Sequence, residues 1–141
     1  MIGNGTKAML TAAALALTGC TGTYWNQGNP MWVSLSGADE VPPVTTTASG
    51  NGRLMIETDG SVSGSIVVNS MTPTAAHIHM GASGQNGPVI IALVKDGSTF
   101  NVPAGARLTE DQMKAFQEGR LYVNVHSAEY KGGEIRGGMR W

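Results

Sequence analysis

Cysteine is nearly missing from this chain. Cys20 is the only one in 141 residues, so no disulfide can form within the chain. Charge is scarce as well: Asp, Glu, Lys and Arg make up 13% of the sequence, and the formal net charge is -1. No Lys/Arg cluster occurs. Arg136 and Arg140 come nearest, and they read as two ordinary strand-surface charges. A basic patch is the electrostatic footprint of nucleic-acid binding, and without one that class of partner drops out. Long hydrophobic runs are lacking too. The one apolar stretch near the start, Ala8 to Leu17, is too short to span a bilayer as a helix. The chain shows no Ser/His/Asp arrangement, no credible pair of acid/base carboxylates and no cofactor motif. The glycine-rich stretch Gly81 to Pro88 is followed by no Lys-Ser/Thr, so its Asn86-Gly87 is turn chemistry and not a phosphate loop. An enzyme built on this chain would have to work through a metal.

The first residues nevertheless carry a pattern. Lys7 precedes the apolar stretch, which runs into Leu17-Thr18-Gly19-Cys20. This resembles a bacterial lipobox, in which small residues precede a cysteine that is diacylated and becomes the mature N-terminus. The resemblance implies a signal peptide over residues 1–19. A lipidated Cys20 and a tether then cover residues 20–30, and the folded domain covers 31–141. Two or three acyl chains would hold the protein stably in a lipid bilayer. The location implied is the bacterial cell envelope, on the periplasmic side or the cell surface. Thr21 after the cysteine resembles the outer-membrane sorting pattern of Gram-negative species. With Cys20 acylated the mature domain has no thiol, and Cys-ligated zinc or blue-copper sites are excluded.

Glycine, at 20 residues, is abundant, and Val, Ile, Thr and Ser recur in short runs. That suits a β-rich domain with many turns. Met31 to Leu35 alternates as a first strand. Pro42-Pro43 marks Ala38 to Thr47 as a loop or edge segment. Gly52 to Glu57 and Ser61 to Asn69 flank an Asp59-Gly60 turn and predict a hairpin. Further strands are expected at Ala75–Met80, Val89–Val94, Arg120–His126 and Glu134–Trp141, with Lys95 to Ser98 as a turn. One short helix is expected after Thr109, whose Gln three residues later completes a capping box. Met113 and Phe116 share its core face, and Gly119 ends it. About seven or eight short strands with one short helix predict an all-β fold, a Greek-key antiparallel β-sandwich or barrel.

What stands out against this background is histidine. All three occur in two short motifs, Ala76-His77-Ile78-His79 and Val123-Asn124-Val125-His126. Successive strand residues point to opposite faces, so His77 and His79 project together. Imidazole suits copper and zinc, and three neutral rings can hold one ion. Intrinsic affinity favours copper over the other divalent metals. Met80 is a further candidate ligand, provided the chain turns at Gly81 and overrides strand parity. Glu134, or less readily Glu129, could orient an imidazole, although Glu134 and Arg136 also suit a cross-strand ion pair. The competing reading is a hydrogen-bonded histidine cluster that fixes the Met80–Pro88 loop against the C-terminal turn.

Four segments together resemble one family. They are Leu35 to Val44, Ala75 to His79, Gly84 to Val89, and Tyr122 to His126 running on to Gly132–Gly137. This pattern is similar to the CHRD domain, named from the animal developmental protein chordin and found in many bacterial secreted proteins. The likeness implies an extracytoplasmic β-rich module and says little of activity. Chordin's ligand binding would suggest a protein partner. More distantly, the H-x-H strand and later histidine resemble copper/zinc superoxide dismutase. Three histidines in total leave no second histidine-built site, so dismutation is a minor expectation beside copper storage, delivery or tolerance.

Overall fold

The computed structural model describes residues 30–140. The expected signal peptide, Cys20, the tether up to residue 29 and Trp141 lie outside the described residues, and Pro30, expected to close the tether, opens β1. The chain forms β1 (Pro30–Ser36), β2 (Ser49–Ile56), β3 (Val62–Asn69), β4 (Pro73–Met80), β5 (Val89–Ala92), β6 (Val94–Asp96) and β7 (Thr99–Asn101). The helix α1 (Glu110–Gln117), β8 (Leu121–Ser127) and β9 (Ile135–Met139) follow. All strand pairs are antiparallel, in the spatial order β5-β4-β8-β9-β1-β2-β3-β7-β6.

The two ends of that order, β5 and β6, are consecutive in the chain and separated only by Leu93. Leu93 donates its N–H to Ala76 O on β4, so the segment bridges both ends of the sheet and nearly closes it into a barrel. The expected single strand Val89–Val94 is therefore divided between two neighbours. The strand Thr99–Asn101 was not foreseen. Gly97, at φ 59°, lets Gly97–Ser98 alone make the turn, so Lys95 and Asp96 stay in β6 and Thr99–Asn101 pairs back on it. β4 also begins earlier than expected, with the buried Pro73 as its first residue, where a missing N–H costs little.

Inward side chains fill the barrel. Leu54, Ile66, Ile78, Phe100, Val123, Val125 and Ile135 are all fully buried. Each such side chain contributes about 1.5–3 kcal/mol through burial. The helix is capped as its sequence requires: Thr109 Oγ1 accepts from Gln112 N, and the Gln112 side chain accepts from Thr109 N.

One departure from regular alternation positions the site. β1 alternates exposed and buried residues as a half-solvated strand should, but β8 is buried on both faces. The outer face of β8 is roofed by two loops, the segment after β1 and the Gly81–Pro88 segment. Asn86 of the second loop donates to Val41 O of the first. Arg136 on β9 donates to Gln85 O at 3.0 Å and to Asn86 Oδ1. The polar outward side chains of β4, β8 and β9 thus face a sheltered space and not open solvent.

Candidate metal centre

Strand register brings the histidines together. Across β4 and β8, Ala75 pairs with His126, His77 with Asn124 and His79 with Tyr122. His77 and His126 are therefore diagonal neighbours on one face, within reach of ring side chains. His77 Nδ1 lies 3.0 Å from His126 Nε2. Ring centroids are 4.9 Å apart for this pair and 5.7 Å for His77 and His79. One nitrogen from each of the three rings lies within 4.8 Å of the others. Two metal–nitrogen bonds of ~2.05 Å at a right angle put their nitrogens about 2.9 Å apart. The His77–His126 pair already has that spacing.

Backbone carbonyls fix which nitrogens are free. A carbonyl only accepts, so His79 Nδ1–H donates to Gly87 O at 2.8 Å, and His126 Nδ1–H donates to Lys131 O at 2.9 Å. In the neutral rings this leaves Nε2 of both as lone-pair atoms; that of His126 accepts from His77 Nδ1–H at 3.0 Å, a proton that a bound metal ion would replace. The His79 ring is further held by stacking on Tyr122, with centroids 4.8 Å apart and planes 5° from parallel. Tyr122 in turn accepts from Gly87 N through its hydroxyl, and Arg136 lies 3.8 Å from its ring centroid. His79 Nε2 is buried and has no hydrogen-bond partner. His77 and His126 are only half-buried, so the cluster is reachable from solvent.

The electrostatics favour neutral rings. Burial lowers the pKa of His77, and the neighbouring His126 and His79 lower it further. Burial also lowers that of His79, opposed by its bond to Gly87 and by the nearby Asn124 amide. Neutral imidazole is the form that binds metal.

The other expected residues are placed differently. Met80 packs half-buried against the hydrophobic core, as strand parity dictates, and not on the histidine face. Glu134 accepts a hydrogen bond from Thr46 Oγ1 at 2.7 Å. Glu129 is exposed. Neither orients an imidazole; the Gly87 and Lys131 carbonyls do. Arg136 is not a surface charge, and its carboxylate is not Glu134. It is 5% exposed, with Nε 3.3 Å from Glu40 Oε2. Glu40, a buried carboxylate from the first roof loop, is the residue sequence reasoning missed. Burial raises its pKa, and Arg136 opposes the rise.

The family model of the CHRD domain matches residues 32–139. The chain belongs to the CHRD-domain family. No curated protein and no solved structure matches it significantly. The segments that carry the likeness build one place in this CHRD domain. Leu35–Val44 and Gly84–Val89 form the roof, Ala75–His79 and Tyr122–His126 the floor, and Gly132–Gly137 brings Arg136 between them. The three-histidine cluster at their centre is compatible with metal binding.

Proposed function

We propose that this CHRD-domain protein is a membrane-anchored extracytoplasmic lipoprotein that binds one metal ion, copper, through His77, His79 and His126, for storage, delivery or tolerance. The observation that carries the reading is His79 Nε2. It is a buried lone pair with no partner, next to two further imidazole nitrogens. Leaving such a group unpaired costs about 1–3 kcal/mol, and a bound ion would remove that penalty. Three imidazoles with no thiolate suit copper first and zinc second. The anchor rests on Cys20 and the residues before it.

A second reading has its own support. The bonds from His79 to Gly87 and from His126 to Lys131 tie two loops to the sheet, as a structural cluster in a protein-interaction module would. Titrating the purified chain with copper separates the two, using wild type, His77→Ala, His79→Ala and His126→Ala. The metal reading expects tight one-to-one binding lost in each variant. Equal weak binding by all four proteins would sink it. For the anchor, radiolabelled palmitate should be incorporated by the wild type in bacterial cells and not by Cys20→Ala.

A further inference from the structure

The histidine face holds more unpaired acceptors than three ligands account for. Besides His79 Nε2, Glu40 Oε1 and Asn124 Oδ1 are buried with no hydrogen-bond partner. Glu40 is 4% exposed and Asn124 2%. These groups adjoin one another. Asn124 faces His77 across the strand pair. A Cβ on Gly133, itself at φ 130°, would strike both Glu40 Oε1 and the Asn124 amide, so only glycine lets the two approach. Glu40 also lies close enough to His126 to interact with it electrostatically. One carboxylate oxygen of Glu40 faces Arg136, and the other is left to the site.

The donors beside these three acceptors make no hydrogen bond to them: Asn124 Nδ2 donates to Gly132 O, and Arg136 Nε, itself without a hydrogen bond, lies 3.3 Å from Glu40 Oε2. A cation bearing a hydrogen-bond-donating ligand would supply what the acceptors lack. We infer that Glu40 and Asn124 form the far wall of the histidine centre and select a divalent ion bearing a fourth, hydrogen-bond-donating ligand such as water. This inference rests on the metal reading above. The three rings bind the ion, while Asn124 Oδ1 and Glu40 Oε1 accept from the fourth ligand and orient it. The Glu40 charge compensates the second positive charge, which a monovalent cuprous ion does not carry. Glu40 and Asn124 are positioning residues, because they act on the ion through its ligand.

The test compares Zn(II), a redox-silent divalent probe, with Cu(I) held under reductant, each titrated against a chromogenic competitor. Wild type, Glu40→Gln, Asn124→Asp and the double variant are measured as full chains, with folding checked by circular dichroism. Removing one nearby charge should weaken Zn(II) binding by about tenfold or more and leave Cu(I) within about threefold. Asn124→Asp, which adds a charge to the same wall, should shift the preference the opposite way. The double variant should restore the wild-type ratio, which a merely structural role for Glu40 would not do. Parallel weakening of both ions in Glu40→Gln overturns the inference, and so does an unchanged ratio in Asn124→Asp. If Glu40→Gln does not fold, the ratio in Asn124→Asp decides. A wild type that binds neither ion overturns the metal reading itself, a result distinct from binding without charge selectivity.

Discussion

Replacing His79 with Phe separates a ligand from a structural ring. The substitution keeps a planar ring for the stack on Tyr122, whose planes lie 5° from parallel. It removes the buried unpartnered Nε2, a gain of about 1–3 kcal/mol. It also removes the bond from Nδ1 to Gly87 O, a loss of about 0.5–1.5 kcal/mol. Gly87 is only half-buried, so its carbonyl can turn to water and adds little further cost. The metal-free variant should therefore lie between about 0.5 kcal/mol less stable and about 2.5 kcal/mol more stable than wild type. With metal the order reverses. A ligand at a hundred times its dissociation constant stabilises a folded protein by about 2.7 kcal/mol. That corresponds to a Tm rise of roughly 10–20 °C for a domain near 100 residues. Wild type should show this rise, and His79→Phe should lose most of it. Thermal unfolding followed by circular dichroism, with chelator and with copper, reads both quantities. If the metal-free variant is destabilised by more than about 2 kcal/mol, and copper shifts neither protein, the cluster is structural and the reasoning fails.

Metal-free stability should depend on pH through His77 and His79. Their lowered pKa values mean that the unfolded chain binds more protons than the folded one below about pH 6.5, so stability falls as pH drops through that point. Glu40, raised by burial, acts in the opposite sense nearer its ordinary 4.5. The difference in urea midpoint between wild type and His79→Phe isolates the imidazole part. Arg136→Leu should cost about 3–5 kcal/mol, because it strands the buried Glu40 carboxylate and releases Gln85 and Asn86. Loss of protection from proteolysis in the Gly81–Pro88 loop should accompany it. Ile78→Ala, at a fully buried site between the histidines, should cost about 2–5 kcal/mol in denaturant unfolding. Thr109→Ala removes one half of the capping box and should cost about 0.5–2 kcal/mol.

The strands β1, β2 and β3 were legible because alternation and an Asp-Gly turn are local signals. The pairing of His77 with His79 was legible for the same reason, since parity needs no partner strand. That His126 lies beside them depended on β4 and β8 being neighbours, which strand spacing does not specify and the family likeness only suggested. Glu40 lies in a segment that carries the family likeness, but nothing there told it apart from its neighbour Asp39: its role exists only because Arg136 meets it from β9. Arg136 was misread for a related reason. Parity places it correctly on the outer face, but the roof loops turn that face into an interior. The Met80 outcome shows the reverse case, in which parity alone was sufficient.

The segment that bridges the two ends of the sheet has a further effect. An open β-sheet offers its last strands as templates on which another chain can add. Here the terminal strands β5 and β6 are four and three residues long, and they belong to one continuous stretch. Val89 and Val94 are exposed there, yet Lys95 follows at once with its charge. Copies of this domain brought close together would find little free edge to extend, so crowding should leave them as separate folded units.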